Sequence, residues 1–164
     1  MKKITIPTTK EIIKDLQVGD QILLSGKMFT GRDAALPQLV KSLHNNEKLI
    51  NIKGSALMHT AVSEAGIAPT TSNKEEIEGN ISQLAQNGML IHIGKGNLNE
   101  NTIKALGEAG AIFVVTPPAA ALLSSKVKSK KVVAFEEEGM EAIFELEVEE
   151  IPGIVAAASG KSIY

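Results

Sequence analysis

Hydrophobic residues in this chain follow two spacings, and the alternation between them predicts an ordered series of strands and helices. Short runs that alternate with polar residues, or that are rich in β-branched residues, predict strands. These runs cover 2–6, 21–26, 55–60, 89–93, 111–115, 131–136, 142–151 and 154–158. Apolar residues three and four apart predict helices over 31–43, 74–86 and 100–106, and shorter helical stretches over 8–16 and 117–125. Strands alternating with helices predict one layered α/β domain with a mixed sheet over residues 1–164, without internal repeats.

Capping and turn residues predict where several of these elements begin and end. Thr30 is a candidate N-cap, and Asp33 three residues later completes an approximate capping box, so the first long helix is expected to begin there. The segment 97–99 offers capping side chains for the third long helix, and Gly88 is expected to close the second. The dipeptide 152–153, Pro-Gly, predicts a turn between the last two strands and hence a terminal hairpin.

Composition excludes several classes of protein. Hydrophobic residues make up 43% of the chain but include four Phe, one Tyr and no Trp, so the core must be aliphatic. The net charge is −2 and no basic stripe interleaves with aromatic residues, which argues against nucleic-acid binding. The longest apolar run, 111–123, is interrupted at 116–118 and is too short to cross a bilayer. Because Met1–Ile4 is followed by polar residues rather than an apolar core, no signal peptide is expected, and we expect a cytoplasmic protein.

The chain lacks the residues that several kinds of active site require. It contains no cysteine, so it offers neither a thiol nucleophile nor thiolate ligands for an iron–sulfur cluster of its own. Three histidines without ligand spacing argue against a zinc site within this chain. His44 is expected to contact the end of a helix dipole, and His92 is expected to be a buried core histidine, whereas the role of His59 at a strand end stays open.

A lysine between two glycines follows the predicted strand 89–93. Backbone N–H groups at a strand–glycine–helix junction attract anions, so Lys95 is a candidate ligand for a carboxylate or phosphate. The alternative is a solvated turn lysine. The segment is not a nucleotide-binding P-loop, because Met89 stands where the first glycine belongs and Gly96 stands where a hydroxyl should bind magnesium.

An arginine stands at the predicted start of the first long helix. A cation there opposes the helix dipole, so Arg32 needs another reason for its position. One reason is a bidentate grip on a carboxylate, for which guanidinium geometry is suited. A surface ion pair with Asp33 is the alternative explanation.

A cluster of hydroxyl and amino groups stands just before the second long helix. It comprises Thr70, Thr71, Ser72 and Lys74. One hydroxyl would suffice to cap the helix, and the segment supplies three. Together with the two cations, this cluster suits a small anionic substrate such as a dicarboxylate. Because no activated nucleophile, carboxylate pair or metal-ligand set accompanies it, the sequence predicts half of an active site. The acidic segment 136–138 and the basic segment 126–131 are expected to be solvated.

Seven short motifs, taken in order, resemble a known family. They are Val-Gly-Asp at 18–20, Leu-Leu-Ser-Gly at 23–26, Thr-Gly-Arg-Asp-Ala-Ala at 30–35, Pro-Thr-Thr-Ser at 69–72, Ile-Gly-Lys-Gly at 93–96, Gly-Met-Glu-Ala-Ile at 139–143 and Gly-Lys-Ser-Ile-Tyr at 160–164. In this order they resemble the β subunit of class I fumarate hydratase and L-tartrate dehydratase, over nearly the whole chain.

The resemblance implies a fold, a partner and a reaction. It implies a swivelling β/β/α domain that assembles with an α subunit, whose cysteines hold a [4Fe-4S] cluster. The implied reaction is the reversible trans elimination of water from a small 2-hydroxy dicarboxylate such as malate, with the open iron of the cluster acting as a Lewis acid. A hetero-oligomer or a homo-oligomer is expected.

The resemblance also assigns roles to matching positions. Thr70 matches the proposed threonine base, and Arg32 and Lys95 match carboxylate clamps; Thr71, Ser72 and Lys74 are expected to bind substrate beside them. A threonine hydroxyl would need nearby positive charge and exclusion of water to act as a base.

The chain departs from the family pattern at three places. Leu36 stands where the family commonly has histidine, and Lys74 replaces an arginine, which keeps the charge but loses the planar fork. The segment 56–68 is shorter and lacks a Gly-Pro-Thr-Pro stretch. These departures fit either a different substrate in the same reaction class or a diverged subunit. A non-catalytic regulatory subunit and a stand-alone carboxylate- or phosphate-binding module are the two alternatives to an enzyme subunit.

Overall fold

The computed structural model describes residues 1–64, 66–67, 75–117 and 120–163. In these residues the strands are β1 (Lys2–Ile6), β2 (Gln21–Gly31), β3 (Ala56–His59), β4 (Ile91–Gly94), β5 (Ile112–Val115), β6 (Val127–Ala134), β7 (Ile143–Ala158) and β8 (Lys161–Ser162). The helices are α1 (Lys10–Ile13), α2 (Leu36–His44), α3 (Glu75–Gln86), α4 (Glu100–Ala109) and α5 (Ala120–Ser125), and a 3₁₀ helix covers Glu136–Glu141. The predicted α/β class with a mixed sheet is confirmed.

Four parallel strands form the centre of the sheet. β2, β3, β4 and β5 pair side by side in that order, and α2, α3 and α4 make the connections between them. Parallel neighbours need such crossovers because the chain must return to the same end of the sheet before it enters the next strand. The carboxyl ends of all four strands therefore lie along one edge.

The long strand β7 closes this sheet into a ring. It runs antiparallel to β2 along most of its length and antiparallel to β5 near its own end. A circuit along the paired residues passes through Thr30, Met58, Ile93, Val114 and Val155 and returns to β2 near Gln21. Because the circuit returns far upstream of its starting point, the strands must be strongly tilted, as in closed β-barrels. β1 pairs with β2, and β6 and β8 pair with β7.

Alternation along the parallel strands divides their side chains between two buried faces. Phe29 and Leu57 are register partners on the outer face, where they pack with Leu36, Leu39 and Leu84 of the covering helices. The opposite face turns into the ring and carries a mainly aliphatic layer. That layer includes Met28, Met58, Ile93, Val114 and Leu146. Each such side chain contributes roughly 1.5–3 kcal/mol on burial. None of the described helices has both the length and the apolar character needed to cross a membrane.

The predicted start of the first long helix is wrong. Thr30 lies inside β2 rather than at an N-cap, and α2 begins at Leu36 after Ala35, which makes no side-chain capping bond. Pairing holds this part of β2 extended from both sides, because Thr30 is the register partner of Met58 and of Phe144. Neither partner is near in sequence, so local capping signals could not reveal them.

The predicted turn at 152–153 is also wrong. β7 continues through Pro152 and Gly153, which are register partners of Leu23 and Ile22. Gly153 serves close packing, since a Cβ atom there would lie 2.5 Å from Cγ1 of Val114. The terminal hairpin turns instead at residues 159–160, between β7 and β8.

The basic segment 126–131 is solvated at its strand lysines as expected, but most of it already belongs to a strand. β6 begins at Val127, and in the described part of the chain it pairs only with β7. Its lysines stay exposed, and lysines on an edge strand discourage pairing with other chains.

Candidate active site

The carboxyl edge of the parallel sheet brings two predicted site residues into one row. Gly31 is the register partner of His59, and Gly94 is the register partner of Val115. The residues that follow these strands, Arg32, Thr60, Lys95 and Thr116, therefore lie along the same edge. Arg32 and Lys95 are separated by one strand, so their backbones lie roughly 10 Å apart at about 4.8 Å per strand.

The hydroxyl cluster falls outside the described residues. Thr70, Thr71, Ser72 and Lys74 belong to the stretch of chain between β3 and α3, within the undescribed range 68–74. The structure therefore places Arg32 and Lys95 on one edge of the sheet, and the roles assigned to these two residues and to Thr70, Thr71, Ser72 and Lys74 stay predictions.

Arg32 is half-buried in the turn that joins β2 to α2. Its carbonyl oxygen accepts hydrogen bonds from the N–H groups of Ala35 and Leu36, at 3.1 and 2.9 Å. The alternative ion pair with Asp33 is not formed. No described carboxylate lies within 4.0 Å of the Arg32 guanidinium. The backbone of Arg32 is thus held in place while its charge has no partner among the described residues.

Lys95 follows β4 directly and is exposed. It makes no ion pair with any described residue. Gly96 after it has a φ of +100°, a conformation that favours glycine, so the turn itself explains this glycine. Exposure is compatible both with a ligand-binding lysine and with a solvated turn lysine.

The N-terminus of α4 already holds a carboxylate from the same chain. The predicted cap is confirmed, since Oδ1 of Asn99 accepts a hydrogen bond from the Thr102 N–H at 2.8 Å. The N–H of Asn99 itself donates to Oε1 of Glu78, a buried residue of α3, at 2.6 Å. Since that amide is occupied, Lys95 would have to recognise an anion through its ammonium group rather than together with this amide.

Two buried histidines lie beneath the edge on the face covered by helices. Burial, and secondarily the charge of His92, lower the pKa of His59 to about 3. Burial lowers the pKa of His92 to about 4, although a hydrogen bond with the Met89 carbonyl, at 2.9 Å from Nε2, opposes the shift. A carbonyl can only accept, so Nε2 donates. The prediction of a core histidine at 92 is confirmed. His44 lies exposed in the last turn of α2, and its expected contact with the helix dipole stays a prediction.

In the acidic segment 136–138, Glu136 and Glu137 are exposed as expected, but Glu138 and the nearby Glu141 make specific contacts. The Ala34 N–H donates to Oε1 of Glu141 at 3.3 Å, and Nε2 of Gln38 donates to Oε1 of Glu138 at 3.1 Å. These carboxylates thus contact the turn after Arg32 and the first turn of α2. Sequence reasoning gave Glu141 no role, although it belongs to the motif at 139–143.

The fold and this edge define an α/β protein with two cationic residues, one strand apart, at the sheet edge where ligands of parallel sheets commonly bind. Comparison with known sequences is more specific. The model of the Fumarase C-terminus family matches residues 1–164, and the chain belongs to this family. The family resemblance predicted from the motifs is confirmed.

This chain matches nearly the full length of one kind of relative and only part of the length of another. A protein of Methanocaldococcus jannaschii provisionally named L(+)-tartrate dehydratase subunit beta is 36% identical over 172 residues, which cover 95% of this chain and 87% of that protein. The aerobic class I fumarate hydratase of Escherichia coli is 31% identical over 160 residues, or 89% of this chain and 29% of the enzyme. Fumarate hydratase 2 of Leishmania major is 27% identical over 170 residues, or 97% of this chain and 30% of the enzyme. The chain thus spans less than a third of each fumarate hydratase.

Proposed function

We propose that this chain is the β subunit of a hydro-lyase that reversibly dehydrates a small 2-hydroxy dicarboxylate of the malate or tartrate type. The observation that carries the proposal is the placement of Arg32 and Lys95 on one edge of the parallel sheet. Similarity to a tartrate dehydratase β subunit and to class I fumarate hydratases supports the same reaction class.

Arg32 and Lys95 would hold the two carboxylates of the substrate. The guanidinium can form two parallel hydrogen bonds with one carboxylate, and the ammonium can approach the other as a point charge. The two backbones are roughly 10 Å apart by strand spacing. Both side chains are long, so a four-carbon diacid can bridge them. Thr71, Ser72 and Lys74 would add hydrogen bonds and charge to the same substrate.

Thr70 would take the proton from the carbon beside the one that loses its hydroxyl. For that, Oγ1 of Thr70 must be held deprotonated, which requires nearby positive charge and exclusion of water. Lys74, Arg32 and Lys95 are the cations proposed to supply this charge. In the hydration direction the same oxygen would return the proton to carbon.

The iron–sulfur cluster implied for this reaction does not fit the residues of this chain. The sequence contains no cysteine, and the described residues include no group of three or more His, Asp or Glu side chains that could hold a metal ion. We therefore place the [4Fe-4S] cluster in a separate α subunit, where it would assist departure of the hydroxyl as a Lewis acid. The word "beta" in the name of the archaeal relative supports a two-subunit assembly. The assembly is proposed to be cytoplasmic.

A carboxylate-binding regulatory subunit is the second candidate, and Leu36 favours it. The position that commonly carries histidine in the family is occupied here by a buried side chain packed against Phe29 and Leu39. Leu36 thus contributes packing and offers no polar group to the edge. A regulatory subunit would bind the diacid without raising the turnover of its partner.

Anaerobic co-expression with the proteins encoded by neighbouring reading frames, iron analysis and a substrate panel test the proposal. We expect iron in the complex and conversion of malate, fumarate or tartrate. Thr70→Ala should abolish turnover, and Lys95→Ala should strongly reduce it while leaving a measurable rate. Lys104→Ala, which removes an exposed lysine on α4, is the matched control and should leave turnover unchanged. Full activity in both Thr70→Ala and Lys95→Ala would refute the catalytic proposal, and binding without turnover would favour the regulatory subunit.

A further inference from the structure

The 3₁₀ helix Glu136–Glu141 contacts the exits of two neighbouring parallel strands. Glu141 accepts a hydrogen bond from the Ala34 N–H in the turn after β2, and the Met140 carbonyl accepts one from the Val62 N–H, at 2.9 Å, in the loop after β3. Glu138 accepts from Gln38 on α2. A segment more than seventy residues distant in sequence therefore contacts both loops that border the cationic edge.

The turn at the start of α2 has no local substitute for Glu141. Ala35 at the N-cap offers no side-chain acceptor, and the first turn of α2 contains no acidic residue. The first N–H groups of a helix need an acceptor, and the positive end of the helix dipole favours a carboxylate there. Glu141 accepts a hydrogen bond from the N–H of Ala34, one residue before this N-cap, and so places a carboxylate close to the positive end of the helix dipole.

Arg32 belongs to the same turn. Its carbonyl receives the N–H groups of Ala35 and Leu36, so the Arg32 backbone closes the turn that Glu141 contacts at Ala34. Upstream, Gly31 is enclosed, since a Cβ atom there would lie 2.8 Å from Cδ1 of Ile143 and 2.9 Å from Cδ2 of Leu36. The backbone of Arg32 is thus confined by packing before it and by the Glu141 contact after it.

We propose that Glu141 is a positioning residue that sets the direction of Arg32 toward the substrate carboxylate. This inference rests on the proposed function, because it assigns Arg32 as a clamp. Glu141 makes no ion pair with Arg32 among the described residues, so it acts through the Ala34 amide and not by neutralising the guanidinium. A carboxylate placed this way leaves the charge of Arg32 for the substrate.

Amide hydrogen exchange of the full chain tests the contact without any turnover. Glu141→Ala should speed exchange of the Ala34 amide and its neighbours in the turn, whereas Glu141→Gln keeps an oxygen acceptor and should restore most of the protection. Glu138→Ala is the matched control, since it removes a carboxylate from the same 3₁₀ helix but leaves the Ala34 amide bonded. Unchanged exchange at Ala34 in Glu141→Ala would overturn the proposal.

A double-mutant cycle in the reconstituted enzyme tests whether Glu141 affects substrate binding by positioning Arg32. Glu141→Ala should raise KM by about tenfold, with a smaller change in kcat, because coupled neighbouring residues commonly show effects of this size. The effect should largely disappear in an Arg32→Ala background and persist in a Lys95→Ala background. Equal effects in both backgrounds would overturn the assignment. If Arg32→Ala alone leaves turnover unchanged, the proposed function fails, and the exchange measurement decides separately whether Glu141 holds the turn.

Discussion

The backbone N–H of Asn99 donates to the carboxylate of Glu78 at 2.6 Å, which joins the N-terminus of α4 to the first turn of α3. Glu78 is only 5% exposed, so this carboxylate depends on protein donors in place of water. Asn99 lies at the end of the short loop that begins with Lys95 after β4. The same bond therefore stabilises the helix pair and fixes the end of the loop that bears a proposed clamp.

Removing the Glu78 carboxylate should destabilise the fold. Glu78→Ala leaves the Asn99 N–H without its acceptor, and we expect a loss of about 1–3 kcal/mol in the free energy of unfolding. Glu78→Gln retains an oxygen acceptor and should lose less. Urea denaturation measures both, and Glu100→Ala, at an exposed position in the first turn of α4, is the comparison. A loss in Glu78→Ala no larger than that in Glu100→Ala would contradict the prediction.

The enclosed glycine before Arg32 should not tolerate a methyl group. In Gly31→Ala the new Cβ would meet Ile143 and Leu36 side-chain atoms at 2.8 and 2.9 Å, and overpacking of this kind costs about 1–3 kcal/mol. Gly79→Ala is the control, because nothing lies within 4 Å of its Cβ position on α3. That change should stabilise the protein by about 0.5–1 kcal/mol through helix propensity. Thermal unfolding should show opposite shifts, and equal shifts would refute this account.

Stability should fall as pH decreases below neutrality because of the buried histidine pair. The pKa values of His59 and His92 are lowered to about 3 and about 4, so the unfolded chain, with histidine pKa values near 6.5, binds more protons than the native protein between these limits. The stabilisation is therefore fully present above about pH 6.5 and is lost as pH falls, by about 1.4 kcal/mol per pH unit for each histidine.

Urea denaturation between pH 7 and pH 5 measures this dependence. In His92→Gln, the free energy of unfolding should fall less steeply with decreasing pH, because only His59 of the pair then contributes to the slope. The control is His44→Gln, which removes a histidine that is exposed in the last turn of α2 and lies outside the buried pair. Identical slopes for wild type and His92→Gln would show that the native state does not keep His92 neutral.

Arg32 should be sensitive to geometry as well as to charge. Arg32→Lys keeps the positive charge but loses the planar fork, so we expect kcat/KM of the reconstituted enzyme to fall by about tenfold or more. Lys95→Arg makes the reverse change at the other end of the proposed substrate site, because it keeps the positive charge and adds a planar fork. Steady-state kinetics with malate and tartrate measure both changes. Wild-type kcat/KM in Arg32→Lys would argue against a bidentate clamp.

Local patterns predicted elements whose determinants lie close together in sequence. Strand β1 was predicted with its observed bounds, and α3 was predicted to within one residue. The Asn99 cap was also recognisable, since a capping side chain reaches only two or three residues along the chain. At the site, the order of short motifs identified the family and named Arg32 and Lys95, because a motif is itself a local pattern.

Tertiary pairing decided what the local signals could not. Thr30 looks like a helix cap in isolation, but two strands distant in sequence hold it extended inside β2. Gly153 follows a proline in a typical turn dipeptide, yet it is the residue that lets β7 pass against Val114. Propensities for caps and turns are worth about 1 kcal/mol each, which is less than the combined pairing and burial available to a strand closing a ring.

The sequence by itself thus determined the class of fold, the aliphatic core and the residue types that identify the family. Only the tertiary structure decided that the sheet closes on itself through β7, that Arg32 and Lys95 share an edge, and that Glu141 contacts the turn between β2 and α2. The physical reason is the distance along the sequence over which each kind of interaction acts. Hydrophobic periodicity and capping act over a few residues, whereas register and long-range hydrogen bonds join residues that only the folded chain brings together.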